Sequence, residues 1–259
     1  MIGLRIAIQT RSLAQPLRQA LHTARAIAAD GVQIDARGEL RSQDLSDTGA
    51  RDLRKMLDDL NLRVGSATFA SRRGYAAADD LDRRLAATID AMRLASRLEA
   101  RILVLAMGPL PDASAAERGT LVEALTSLAG QGSRWGVQLA LQCPDAHPDE
   151  LAALLVQLPA GLMGVDLSPA DVIRSGGRPR EFVSALGRHI THVYANDAVR
   201  GVGSAGAIDV PLGRGSADVP ELLGALEEFD YRGWATIERR NSPRSVEECG
   251  DAIAYLRAL

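Results

Sequence analysis

Lysine is almost missing from this 259-residue chain, in which Lys55 is the only lysine among 30 basic side chains. It lies in ARDLRKMLDDLN, a helical pattern in which it reads as a solvated face residue. With no other ε-amine available, Schiff-base chemistry has no nitrogen for its imine, which excludes pyridoxal phosphate. A phosphate or carboxylate on a ligand falls to arginine, backbone N–H groups or hydroxyls. Cysteine is scarce too. Cys143 and Cys249 lie far apart with no CxxC or His-paired spacing, so neither a disulfide framework nor a zinc knuckle is indicated. No apolar run reaches membrane-spanning length, and LRIAIQT near the N-terminus reads as a strand rather than a leader. The expectation is a cytoplasmic protein without a membrane partner. An excess of one charge is also lacking. Net charge is -3 and the pI about 5.9, so no broad basic face exists to neutralise a nucleic-acid backbone. The first strand–helix turn holds no GxGxxG, which excludes a nicotinamide dinucleotide site of that kind.

What is present is a chain of 46% hydrophobic and 24% charged residues, able to bury a full core. Strand-like runs occur at Leu4 to Thr10, Val32 to Ala36, Leu62 to Phe69, Arg101 to Met107, Val137 to Cys143, Leu162 to Leu167, Ile190 onward and Trp234 to Glu238. Between them lie helical periodicities, beginning with PLRQALHTARAIAAD from Pro16 and including Asp79 to Glu99, Glu117 to Trp135 and Pro148 to Leu158. A shorter helical region contains Phe182 to Leu186, a long Gly-rich loop follows from Gly201 to Gly215, and helices close the chain near Val219 to Phe229 and Val246 to Leu256. His22, alone within the first helix, receives no role. The regular alternation without any linker specifies one α/β domain over residues 1–259, a single (β/α)8 TIM barrel.

In such a barrel the chemistry belongs at the C-terminal strand ends. Those ends supply Gln9, Asp35, Phe69, Met107, Gln142, Asp166, Tyr194 with Asn196 and Asp197, and Glu238. The polar members concentrate on the fifth to eighth strands, and ITHVYANDAVR (190 to 200) is the richest stretch. After the third strand, Phe69 and the pair Arg72 and Arg73 are placed for ligand or anion contact, although adjacent arginines more often form a solvated loop. The turn Pro211 to Ser216 precedes a helix and has backbone amides that an anion would suit.

Several segments resemble the xylose isomerase-like barrels, the sugar phosphate isomerases/epimerases, in a planctomycete-like branch. They are SDTGARDLRKMLDDLNLRVG (46 to 65), RRGY (72 to 75), GVDLSPAD (164 to 171), HVYANDAVR (192 to 200) and VPLGRGSADVPELLGALEEFDYRGWATIERR (210 to 240). The resemblance implies a site in which Glu, Asp, His and Glu on strands five to eight hold a divalent metal, Mn2+ or Mg2+. Asp166 and Glu238 match the Asp and the last Glu. Gln142 and Tyr194 stand where the first Glu and the His are expected. An amide lacks the carboxylate charge and a phenol is a poor neutral-pH ligand, so metal binding is expected to be weak or absent.

The resemblance also implies proton transfer beside a carbonyl by the strand-five and strand-eight carboxylates. Gln142 cannot titrate, which leaves Glu238 as base, with Asp166 in the catalytic set and Asp197, Tyr194 or His147 as acid. His147 could also stand in for the missing imidazole. Arg200 is the candidate sugar contact, with an ion pair to Asp197 as the plainer alternative. Gln142, Tyr194, Arg200, His147, Arg72 and Phe69 thus form the expected substrate-binding set. The function implied is a sugar or sugar-phosphate isomerase/epimerase with a carbohydrate ligand. The alternative is an inactive barrel that binds a small sugar in a regulatory role. An abasic-site endonuclease on this fold would need more metal ligands than four histidines allow. Homo-oligomerisation stays open, with Phe229, Tyr231 and Trp234 as packing or contact residues.

Overall fold

The computed structural model describes residues 4–201 and 206–259. Its strands are β1 (Arg5–Gln9), β2 (Gly31–Asp35), β3 (Arg63–Ala70), β4 (Ile102–Ala106), β5 (Gln138–Gln142), β6 (Met163–Leu167), β7 (Ile190–Ala195), β8 (Asp197–Val199), β9 (Ile208–Val210) and β10 (Trp234–Ile237). Eight of them close a parallel barrel in the order β1-β10-β7-β6-β5-β4-β3-β2, and β8 and β9 pair separately as a small antiparallel hairpin. The helices are α1 (Leu17–Ala26), α2 (Asp47–Asp59), α3 (Leu81–Arg97), α4 (Ala116–Trp135), α5 (Pro148–Val156), α6 (Pro169–Arg174), α7 (Pro179–Leu186), α8 (Val219–Glu228) and α9 (Ser245–Ala258). The single (β/α)8 barrel expected from the alternation is the fold observed.

Alternation along each strand divides the side chains between two environments. Outward-facing Ile8, Ile34, Leu103, Leu105, Leu139, Leu141, Val165 and Leu167 are buried in one cluster with helix residues such as Leu21, Met92, Leu125 and Leu154. Each such side chain contributes roughly 1.5–3 kcal/mol by leaving water. The inward faces are largely polar, which sets the character of the site. At the N-terminal end the indole of Trp234 closes the barrel over Gly31 and Gly65. A Cβ on Gly65 would lie 2.7 Å from that ring, so the close approach requires glycine there.

Two differences from the sequence expectation bear on the site. The segment after β6 holds two helices rather than one, each entered through a proline in its first turn, Pro169 and Pro179, with Gly176 and Gly177 between them. The Gly-rich stretch 201–215 is not all loop, because Ile208–Val210 pairs with Asp197–Val199. Residues 202–205 of that stretch lie outside the described residues. The late aromatics pack within the chain. The Tyr231 hydroxyl donates to the Trp234 carbonyl at 2.8 Å, and Phe229 lies against Gly187. Among the described residues no helix is long and apolar enough to cross a membrane.

Candidate active site

The inward positions of β2, β3, β6, β7 and β10 carry Gln33, Ser66, Asp166, His192 and Thr236, all buried. His192 organises them. Its Nδ1 lies 2.6 Å from Asp166 Oδ1, and the carboxylate fixes the tautomer by drawing the ring proton to Nδ1. Its Nε2 lies 2.8 Å from the Thr236 hydroxyl and 3.2 Å from that of Ser66. Gln33 donates to Ser66 at 2.9 Å and accepts from the Tyr194 hydroxyl at 2.9 Å. The Tyr194 ring stands edge-on to the imidazole with centroids 4.8 Å apart. Burial raises the Tyr194 phenol well above its ordinary value, so it acts as a neutral donor. Burial also pushes the Asp166 carboxyl up to about 6, against the opposing pull of His192. The second oxygen of Asp166 accepts from the Gln142 amide at 3.1 Å.

Above this layer opens a cavity of 530 Å³ whose walls include Gln9, Asp35, Gln142, Tyr194, Glu238 and Arg240. Glu238 reaches it from the end of β10. Its Oε1 accepts from Gln9 at 3.2 Å, and its Oε2 accepts from Asn196 at 2.9 Å and pairs with Arg240 Nη2 at 2.8 Å. Arg240 also donates to both oxygens of Asp171, at 3.0 and 3.3 Å. Burial opposes its charge, but Glu238 and Asp171 outweigh that and hold the guanidinium protonated beyond its ordinary range. Two strands away, at the end of β2, Asp35 pairs with Arg11 at 2.6 Å and accepts from the Arg37 and Gly38 amides at 2.8 and 3.0 Å.

The structure brings Gln142, Tyr194 and Glu238 to this cavity and places Asp166 just beneath it. It does not bring the rest of the expected set there. Asp197 is buried, and its carboxylate accepts the N–H groups of Ala198, Gly213, Gly215 and Ala217 at 2.8–3.2 Å. Those bonds occupy amides of the Pro211 to Ser216 turn that an anion would have used. Arg200 points to another surface, where it donates to the carbonyls of Gly176 and Gly177 at 2.6 and 2.9 Å, and it makes no ion pair with Asp197. His147 caps α5 by accepting from the Asp149 N–H at 3.3 Å and is exposed. Phe69 and Arg72 line a second cavity beside the mouth.

Sequence reasoning missed Gln33, Ser66, Thr236, Asp171 and Arg240, and gave His192 no role. Some signal existed. Polar residues at alternate positions of otherwise apolar runs, as in VQIDA, mark an inward polar face, and the Arg in ERR two residues after Glu238 shares its side of an extended chain.

The sequence pattern of the xylose isomerase-like TIM barrels matches residues 21–259. The chain belongs to that family. No curated protein is significantly similar to it in sequence. Among solved structures, a xylose isomerase domain protein from Planctomyces limnophilus superposes with a TM-score of 0.82 at 21% identity, over 92% of this chain and 90% of that one. D-allulose 3-epimerase from Methylomonas sp., in complex with D-allulose, gives 0.78 at 17% identity over 100% and 98%. A xylose isomerase-like barrel protein from Mycobacterium smegmatis, in complex with magnesium, gives 0.77 at 18% over 92% and 86%. These likenesses are of fold.

The residues of this family member do not fit a divalent cation. Among the described residues no group of three or more His, Cys, Asp or Glu side chains is arranged to hold one. Gln142 turns its NH2 toward Asp166, Asp166 is bonded to an imidazole, and Glu238 Oε2 is paired with a guanidinium. A cation entering here would have to displace protein donors and overcome the positive charge of Arg240.

Proposed function

We propose that the chain is a sugar or sugar-phosphate isomerase/epimerase-like protein acting at the C-terminal ends of β5, β6, β7 and β10, with metal binding weakened or lost. The observation that carries this reading is Glu238, a carboxylate opening to a 530 Å³ cavity with the Arg240 guanidinium 2.8 Å away. Glu238 is the one carboxylate of the inherited set at the cavity wall; it takes the proton from the carbon beside a ligand carbonyl and, once protonated, returns it to the neighbouring carbon of the enediolate. Negative charge then develops on the carbonyl oxygen, where the fixed guanidinium of Arg240 stabilises it. Gln142 and the Tyr194 hydroxyl hydrogen-bond the ligand's hydroxyl groups. Asp166 and His192 support the floor, and Asp197, bonded to four amides, takes no part.

The pairing of Glu238 with Arg240 also favours a second reading, a barrel that binds a sugar without turning it over, because the guanidinium already engages a carboxylate oxygen that the reaction would need. A panel of ketoses and ketose phosphates assayed with EDTA present separates the two. The enzyme reading expects turnover that survives EDTA and disappears in Glu238→Gln. Saturable sugar binding with no turnover supports the binding reading, and neither turnover nor binding overturns both.

A further inference from the structure

A second cavity, of 560 Å³, lies on the same rim, between the loops after β2 and β3 and the first turn of α3. Consecutive residues at the end of β3 and just beyond it alternate between the two: Thr68 and Ala70 line the mouth, and Phe69 and Ser71 line this basin. Its walls carry Arg37, Arg41, Arg72, Arg73, Arg83 and Arg84. Two carboxylates, Asp80 and Asp90, also line it, but Asp90 is engaged by Arg93 at 2.7 Å, and Arg73 makes only a long 3.5 Å pair with Asp79. Among the described residues the other five arginines form no ion pair with any carboxylate.

The guanidiniums are nonetheless held. Arg37 donates to the Ala70 carbonyl and lies over the Phe69 ring, 5.9 Å from its centroid. Arg41 Nε donates to the Arg37 carbonyl at 3.1 Å. Arg84 donates to the carbonyls of Ala77 and Asp79, while its buried Nε has no hydrogen-bond partner. Neutral carbonyls orient these forks without cancelling their charge. Arg83 and Arg84 also sit in the first helical turn, where the helix dipole disfavours cations, and the cap residue Asp80 makes no side-chain bond to the free amides. In a chain of net charge -3, such a concentration of uncompensated positive charge is an attractive site for an anion.

We propose that this basin binds a phosphate monoester. Planar guanidinium forks match phosphate oxygens, and a dianion offsets several of them at once. The net charge of -3 and the 560 Å³ volume favour a small ligand over a polyanion. The proposal stands on the basin alone and holds whether or not the mouth acts on a sugar.

The test is calorimetric titration of the whole chain with inorganic phosphate and with glucose 6-phosphate at constant ionic strength, with chloride as the reference. Arg72→Ala and Arg83→Ala remove exposed side chains, and Arg63→Ala at the opposite end of the barrel is the control. The expected result is saturable binding near one phosphate group per chain, weakened about tenfold or more in each basin variant and unchanged in the control. Tighter binding of glucose 6-phosphate assigns the basin to an organic phosphate, and tighter binding of inorganic phosphate to the free ion. Absence of saturable binding, or binding equally strong in the basin variants, overturns the proposal.

Discussion

The mouth of the barrel and the arginine basin beside it share strand ends but handle charge in opposite ways. In the mouth every carboxylate of the inherited site has a partner within the protein: Asp166 has His192 and Gln142, and Glu238 has Arg240, Asn196 and Gln9. In the basin guanidiniums rest on carbonyls and an aromatic ring, and their charge is left over. The contrast teaches that burial decides which arrangement is tolerable. A charge sealed inside a barrel must be compensated by the chain itself, whereas charge on an open rim can wait for a ligand.

Breaking the comparison at its strongest point gives the largest expected effect. His192→Ala leaves the Asp166 carboxylate buried without its imidazole partner, and should cost roughly 3–5 kcal/mol in urea unfolding at pH 8. A loss below about 1 kcal/mol would mean that the imidazole is not compensating that charge. Arg240→Met is expected to follow at about 1–3 kcal/mol, since Glu238 and Asp171 lose a shared donor. Combining it with Glu238→Gln should recover part of that loss, and strict additivity would show that the pair is not coupled.

Acidity sharpens the same point. The folded chain holds the Asp166 proton up to about 6, against 3.8 for an ordinary carboxyl. Between those values the native state binds a proton that the unfolded chain has released, so this group's contribution to stability falls as pH rises through the window and is flat above it. The stability of the unaltered chain minus that of Asp166→Asn should therefore decline from pH 4 to pH 6. A difference that rises across that range would show the His192 attraction outweighing burial. The smallest effect belongs to the basin. Arg72→Ala or Arg83→Ala should shift stability by no more than about 0.5 kcal/mol, with any shift favourable, because like-charge repulsion is relieved. A large destabilisation there would show that these side chains hold the fold together.

The barrel was legible in the sequence because its evidence is periodic. The near-continuous apolar run RILVLAM, the alternation in VQLALQC and the helical periodicities between such runs report local geometry that the tertiary structure only has to obey. The strand ends were legible for the same reason, and Gln142, Tyr194 and Glu238 meet at one cavity. Partner choice was not legible. Asp197 and Glu238 are both acids at the end of a strand, yet one is consumed by the next amide and by three more 16–20 residues away, and the other faces the cavity. Arg200 was similarly placed by its position after the strand-seven cluster and by the family resemblance, and the break between α6 and α7 gave it two carbonyls to bind instead. Arg240 escaped notice because its importance comes from Asp171, 69 positions earlier.

The central claim is that the mouth satisfies its own charges and so has no place for a divalent cation. The measurement that reaches it most directly is elemental analysis of the purified chain after incubation with Mn2+ and desalting. The structure predicts retention of well under one metal per chain. Stoichiometric retention that is abolished in Glu238→Gln would contradict it.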